Sequence, residues 1–295
     1  MTAYFLPFTA PFDLRLTLAF LNGFPPAQGE QETDGELRKA TRLNGQTVGF
    51  MVRQEEAGLS CTFWPEHPLS EAETTALLNR LAFFLATGDD LNPFYALAEH
   101  DAAFKPLLSA MHGFHQPRFL TPFEVACWAI LTQRLPEAQA LRLKRRVTAA
   151  GGGEWEGMPA FPEPADLLKL TEAEWLALVR NARKARALLE ATRAFAEGGE
   201  SQLHAQSTTE LREWLMGLYG VGDWSALFIL VRGLGRRELL DLSAGPLSKE
   251  LLHAVRPVYG HLNAAELERI SQGYGDQQGQ WATYLRSRGA VLGPQ

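Results

Sequence analysis

The sequence predicts a mostly α-helical protein in which a small α+β domain with an antiparallel sheet, residues 1–92, precedes an all-helical domain, residues 93–295. The length of 295 residues exceeds one typical domain and suggests about two. Alternating, strand-like patterns are confined to the first hundred residues. Apolar residues at helical spacing, punctuated by Gly, Pro, Asn and Ser, fill the rest of the chain.

The composition is that of a folded protein from a reducing compartment. An apolar share of 46% with 21% charged residues excludes a disordered chain. No run of roughly 18 apolar residues occurs, which excludes a membrane span. The first residues lack the basic and long apolar regions of a secretion signal. Cys61 and Cys127 are too few for a four-cysteine metal site or a disulfide framework, which favours a cytoplasmic protein.

The net charge of −6 argues only weakly against a nucleic-acid partner, because binding depends on where the cations cluster. Two basic clusters are present, one of Arg142, Lys144, Arg145 and Arg146, the other of Arg232, Arg236 and Arg237. Each cluster is either a solvated helix face or a set of phosphate contacts. His112 and His115 have no further ligands close by, so a zinc site is not expected.

The elements of the first domain follow from its turn formers and caps. Asp13 can cap a short helix over residues 12–21, and Ser70 can cap a helix that follows the strands. Three strands are predicted over residues 36–42, 47–53 and 59–64. Because Asn44-Gly45 and Ala57-Gly58 separate these strands, they are expected to form a meander of hairpins.

From about residue 93 onward the sequence predicts only helices. They span residues 94–99, 102–111, 122–132, 137–150, 164–170, 172–179, 184–197, 208–216, 223–234, 247–255, 264–272 and 280–289. The run Gly151-Gly152-Gly153 is expected to form a hairpin loop inside this domain rather than a linker between domains.

The most informative segment covers residues 208–234, where one helix runs into Leu-Tyr-Gly-Val-Gly and a second helix starts at once. Gly220 and Gly222 let the chain reverse tightly, and Asp223 is expected to be the N-cap of the second helix. The first N–H groups of that helix can bind a phosphate oxygen, independently of base sequence. The alternative is a packing corner in which the glycines only permit the turn.

With this hairpin the chain resembles the helix-hairpin-helix DNA glycosylases, and among them the bacterial 3-methyladenine DNA glycosylases of type II. The hairpin is the most specific motif. Five other segments have counterparts in the same order, so the resemblance covers nearly the whole chain. These segments are residues 4–21, 121–133, 161–164, 184–188 and 280–284.

The resemblance implies a monofunctional glycosylase of base excision repair, which flips an alkylated purine of the 3-methyladenine type out of duplex DNA and hydrolyses its N-glycosidic bond. Bifunctional members carry a lysine where this chain has Trp224, and tryptophan cannot form a Schiff base. The resemblance further implies a monomer that binds double-stranded DNA in the bacterial nucleoid. It implies no organic cofactor, but a Na⁺ or K⁺ ion on the backbone carbonyls of Leu218 and Val221.

An aromatic pocket is expected to receive the flipped base, since cation–π attraction of roughly 0.5–2 kcal/mol favours a cationic alkylpurine. The resemblance assigns Trp224, Phe228 and Trp128 to this pocket. For Trp224 and Phe228 the alternative is hydrophobic core at i, i+4 spacing.

Seven residues are assigned to DNA contact by the same resemblance: Gln133, Arg134, Gly220, Val221, Gly222, Asp223 and Ser225. Arg134 stands where the family inserts a wedge side chain into the gap left by the flipped base. An arginine can fill that gap or stack in it, but unlike an uncharged wedge side chain it brings a positive charge into the duplex.

The chain departs from the family at the catalytic aspartate, which stabilises the oxocarbenium-like sugar and orients water. That position falls on Gly245 or Pro246, and neither is an acid. Asp241 is the nearest upstream carboxylate and the candidate replacement; the alternative for it is a surface or capping role. The alternative function is therefore a catalytically degenerate protein that binds damaged DNA without cleaving the glycosidic bond.

Overall fold

A computed structural model describes residues 3–237 and 246–293. In these ranges the strands β1 to β7 are Ala3–Leu6, Gln31–Glu32, Leu37–Leu43, Gln46–Gln54, Leu59–Pro65, Gly153–Trp155 and Met158–Ala160. The helices α1 to α8 are Leu14–Asn22, Glu71–Phe84, Asn92–Ala98, Lys105–Ala110, Pro122–Thr132, Glu137–Gly151, Pro164–Leu167 and Glu172–Val179. The helices α9 to α15 are Ala182–Gly198, Glu200–Ala205, Thr208–Gly217, Asp223–Leu234, Pro246–Tyr259, Ala264–Gln272 and Gln278–Leu292. No helix in these ranges is long and apolar enough to cross a membrane.

The first five strands form one sheet in the order β1-β5-β4-β3-β2, and every neighbouring pair is antiparallel. The predicted meander is confirmed as β3, β4 and β5. Asn44 and Gly45 join β3 to β4 with positive φ values of 50° and 80°, which is the conformation of a tight hairpin turn. The short strands β1 and β2 add the two edges of the sheet.

The expectation that strands are absent after residue 93 was wrong. Strands β6 and β7 pair as an antiparallel hairpin in the middle of the helical part. Its strands are three residues long, too short for a pattern to be read from sequence. Contacts with the N-terminal sheet explain its stability: Trp155 stacks on Trp64 with ring centroids 5.0 Å apart, directly over Gly49, where a Cβ would lie 2.0 Å from the indole.

Helix α5 is the central helix of the helical part, because every residue from Pro122 to Leu131 is buried. It packs against α9 and α12, and its C-terminal end reaches the turn between α11 and α12. Helix α1, from the first predicted domain, packs against α15, and Phe20 of α1 lies in the same core as Trp281 of α15. The domain boundary near residue 92 stays a prediction.

Candidate nucleic-acid interface

The hairpin turn between α11 and α12 places its two glycines in different conformations. Gly220 has φ +81°, and a Cβ there would lie 2.8 Å from the Cβ of Ala187. Gly222 has an extended backbone, φ −108° and ψ 179°, that any residue can adopt, and a Cβ there would meet no atom within 4 Å. Only Gly220 is therefore required by the turn, whereas Gly222 leaves open space beside the start of α12.

Alanine at position 220 is expected to lower the free energy of unfolding by about 1–2 kcal/mol, because a side chain would be forced into positive φ and into contact with Ala187. Alanine at position 222 is expected to change it by less than about 0.5 kcal/mol. Urea unfolding of the two variants measures the difference. Equal losses would contradict the assignment of the turn to Gly220 alone.

The N-terminus of α12 has no side-chain cap. The expectation that Asp223 is this cap was wrong: Gly222 occupies the N-cap position, and the Asp223 carboxylate accepts from Arg212 at 2.9 Å. Seven other helices do have a side-chain cap, from Asp13, Ser70, Thr121, Thr171, Asn181, Ser207 and Asn263, whereas α3, α4, α6, α10 and α15 lack one as α12 does. The first N–H donors of α12 thus have no side-chain cap among the described residues, as an anion site requires.

Gln133 joins the end of α5 to the hairpin. Its Nε2 donates to the Gly220 carbonyl at 2.8 Å and to the Ser225 hydroxyl at 3.1 Å. Ser225 is buried, so its hydroxyl holds the hairpin rather than facing solvent. Val221 is buried under the turn as well, which leaves its backbone as the part that could meet a ligand.

Lys184 of α9 binds the same C-terminal end of α5 through hydrogen bonds. Its Nζ donates to the carbonyls of Ile130, Leu131 and Gln133 at 2.7–2.8 Å. The ammonium group therefore supplies donors to three terminal carbonyls that a helix end leaves unsatisfied. Burial lowers the pKa of Lys184 to about 8. The sequence placed Lys184 in a family-like segment, but nothing in its spacing indicates this role.

One cleft of about 460 Å³ brings most of the predicted site together. Its lining includes Gln133, Arg134, Gly220, Gly222, Trp224 and Ser225. Arg134 is exposed and has a left-handed backbone, φ +55°. The side chain of the wedge candidate is thus presented beside the hairpin, in agreement with its predicted place.

The aromatic residues of the predicted pocket separate into two environments. Trp224 is 48% exposed and stacks on the partly buried Phe228 with centroids 5.3 Å apart and planes 14° apart. Because nearly half of Trp224 faces solvent, the core alternative fails for this residue. Trp128 is buried within the core built around α5, and its assignment to the base pocket stays a prediction.

Comparison with known proteins finds DNA glycosylases. No family model matches the chain. A DNA-3-methyladenine glycosylase of Bacillus subtilis is 27% identical over 152 residues, half of each chain, and a second relative from that species is 28% identical over 116 residues. The solved 3-methyladenine DNA glycosylase of Archaeoglobus fulgidus has 20% identity and a TM-score of 0.73, with 98% of both chains covered. In sequence the chain is thus similar to DNA-3-methyladenine glycosylases, and it has the fold of the Archaeoglobus enzyme.

This shared fold confirms the predicted fold class, a small antiparallel sheet followed by many helices. A Clostridium acetobutylicum 8-oxoguanine glycosylase/lyase of the same fold, solved with double-stranded DNA, has 17% identity and a TM-score of 0.58, covering 94% of this chain and 91% of its own. The chain spans about half or less of the length of the curated relatives it matches.

The basic clusters are not uniform phosphate-binding faces of this glycosylase fold. Lys144 is fully buried and pairs with Glu30 and Glu124, each at 2.7 Å. Burial lowers the pKa of Lys144, but the two carboxylates outweigh it and hold that pKa above its ordinary value. Of the second cluster, Arg237 pairs with Asp89 at 2.8 Å, so it is tied to the protein rather than free for DNA.

The predicted catalytic position falls at the edge of what the structure describes. Asp241 and Gly245 lie outside the described residues, and Pro246 is the first residue of α13. The assignment of Asp241 as the catalytic acid therefore stays a prediction. Within residues 3–237 and 246–293, no group of three His, Cys, Asp or Glu side chains could hold a metal ion.

Proposed function

We propose that this protein is a monofunctional DNA N-glycosylase of base excision repair that releases alkylated purines of the 3-methyladenine type from duplex DNA. The observation that carries the proposal is the exposed Trp224–Phe228 stack on the first turns of a helix whose N-terminus is uncapped. One short segment of the protein thus offers both an aromatic surface for a DNA base and N–H donors for the sugar-phosphate backbone of the DNA.

The aromatic surface suits the chemistry of the substrate. Alkylation at N3 or N7 makes a purine cationic and a better leaving group, and the electron-rich face of Trp attracts such a cation. A damaged base also costs less to extrude from the stack than a normal one. Trp224 cannot act as an amine nucleophile, so water is the proposed acceptor of the sugar and strand cleavage is not part of the reaction.

The grip on DNA is proposed to use the backbone and the cations around the hairpin. The uncapped N–H groups of α12 would hold one phosphate, and Arg134 and Arg183 line the adjoining cleft. Arg134 would enter the duplex at the vacated base position. We propose a monomer acting on the DNA of the nucleoid.

A monovalent cation fits the chemistry of the turn. Carbonyl oxygens are hard donors of the type that Na⁺ and K⁺ take, and the proposed ligands are the carbonyls of Leu218 and Val221. The Leu218 carbonyl accepts only the N–H of Val221, at 3.1 Å, among its backbone hydrogen bonds, which leaves a lone pair for a cation. When bound, the ion would add positive charge where the strand backbone approaches.

The test uses the full-length protein and duplex DNA methylated with a radiolabelled agent. The expected result is free methylpurine released at least about 100-fold faster than spontaneously, with abasic sites that break only on alkali treatment. Borohydride is expected to trap no covalent complex, because no Schiff base forms. Release at the spontaneous rate with normal duplex binding would replace this proposal with the degenerate, non-cleaving binder.

A further inference from the structure

A second cavity lies beside the hairpin cleft and is continuous with it. Its volume is about 630 Å³, against about 460 Å³ for the hairpin cleft. The two share Leu135, Asn181 and Lys184 as lining residues. The second cavity adds three cations, Arg142 and Arg146 from α6 and Arg180 from the end of α8, and we call it the arginine cavity.

Among residues 3–237 and 246–293, no carboxylate lines either cavity. Two of the three guanidinium groups of the arginine cavity donate to backbone carbonyls: Arg142 to that of Ala138 at 3.3 Å and Arg146 to that of Ala177 at 2.6 Å. Other arginines of the described chain are neutralised by a carboxylate, such as Arg42 by Asp166 at 2.9 Å. The arginine cavity therefore carries uncompensated positive charge.

The backbone at the two turns also places arginine where another residue would be favoured. Arg134 and Arg180 have φ values of 55° and 51°, in the left-handed region that glycine and asparagine adopt most readily. Arg180 is the C-cap residue of α8, and Arg134 follows the C-cap of α5. At both helix ends the chain thus carries an exposed cation in place of the residue that the turn prefers.

We propose that the arginine cavity is a second phosphate-binding site for duplex DNA, so that the duplex backbone is held on both sides of the Arg134 turn. Guanidinium groups match phosphate oxygens with paired N–H donors, and such contacts position a duplex without reading its sequence. The proposal rests on the proposed function for the identity of the polyanion. Its basis is a pair of adjoining cavities that share Leu135, Asn181 and Lys184 and that no described carboxylate lines.

The test is the salt dependence of binding to an undamaged 24-base-pair duplex. The triple variant Arg142→Gln, Arg146→Gln, Arg180→Gln is expected to bind about 10- to 100-fold more weakly near 0.1 M salt. Its plot of log affinity against log salt is expected to be shallower by about 2–3 units, since each lost phosphate contact removes about 0.9. The double variant Arg142→Gln, Arg180→Gln covers the case in which Arg146 is needed for folding, and is expected to lose about 2 units.

The matched control removes three charges elsewhere: Arg15→Gln, Arg53→Gln, Arg145→Gln. Arg15 pairs with Asp13 and Arg53 with Glu36, while Arg145 faces the Gln28 carbonyl on another side of α6. This control should bind as the wild type does, within about twofold. An equal loss in the control and the triple variant would overturn the proposal, since total charge alone would explain it.

Two further measurements are needed. One distinguishes duplex DNA from a small phosphate anion as the ligand, and the other distinguishes failure of the phosphate site from failure of the proposed glycosylase activity. Inorganic tripolyphosphate is expected to compete for the wild type only at concentrations far above those of duplex; competition at equal concentration would assign the cavity to a small anion instead. Base release is measured on the same proteins. If the wild type releases no base but the salt slopes still differ, the phosphate site stands and the glycosylase proposal falls.

Discussion

Alanine at position 224 is expected to lower the single-turnover rate of methylpurine release by about 100-fold. The Trp224 ring is 48% exposed and stacked on Phe228, so it is free to meet an extruded base. Loss of cation–π attraction, up to about 2 kcal/mol, together with base stacking of about 1–3 kcal/mol, accounts for two orders of magnitude at 1.36 kcal/mol per tenfold. Excess protein over labelled duplex isolates the chemical step.

Two variants make this result specific to the ring. Trp224→Phe keeps a stacked aromatic surface and is expected to retain rates within about tenfold of the wild type. Met216→Ala removes a side chain that is likewise exposed, at 39%, on the other helix of the hairpin, and is expected to leave the rate unchanged. A Trp224→Ala protein with the full rate of release would remove the aromatic pocket from the mechanism.

The elements that the sequence predicted best are those marked by a local signal. Helix α5 begins where predicted because Thr121 caps it, with a hydroxyl that accepts from the Glu124 N–H at 3.2 Å. Helices α8 and α14 are similarly marked by the capping boxes of Thr171 and Asn263. Such signals act over a few residues, so the sequence alone carries them.

The features that the sequence missed depend on distant partners. Nothing in the sequence around Lys144 and Lys184 indicates that these lysines are buried, yet both are. Lys144 meets Glu30, 114 residues away, and Lys184 meets carbonyls 51–54 residues away. The β6–β7 hairpin likewise depends on stacking between Trp155 and Trp64. No periodicity encodes these contacts, because they form only when the sheet and helices pack.

For the candidate site, the sequence indicated which residues lie together, but it assigned Asp223 the wrong structural role. The hairpin, Gln133 and Arg134 do meet in one cleft. Asp223, however, pairs with Arg212 instead of capping α12, because Gly222 already stands at the N-cap position. The uncapped terminus is a property of backbone geometry, which a list of favoured cap residues does not reveal.

The second large effect concerns Lys184 and alkaline pH. DNA affinity and base release are expected to fall about tenfold between pH 7 and pH 9, because burial lowers the pKa of Lys184 to about 8. The neutral amine has two N–H donors for the three carbonyls of Ile130, Leu131 and Gln133 and loses its charge. The turn that carries Gln133 and Arg134 is then held less firmly against the hairpin.

The free energy of unfolding should move in the opposite direction. In the unfolded chain Lys184 keeps its ordinary pKa of 10.5, so between about pH 8 and pH 10.5 the unfolded state binds more protons than the folded state. On this group alone, stability therefore rises with pH across that window while DNA binding falls. Urea unfolding and duplex binding over the same pH range test both signs, and a general alkaline loss of structure would move the two measurements together.

Lys184→Arg supplies the matched control, because a guanidinium stays charged throughout this range. Its DNA affinity is expected to be level from pH 7 to pH 9, whatever its absolute value. Lys184→Met is also expected to be level, but at about the affinity that the wild type shows at pH 9. An alkaline decline that persists unchanged in Lys184→Arg would show that a different group controls it, and the ammonium of Lys184 would then be a structural cap without influence on the Arg134 turn.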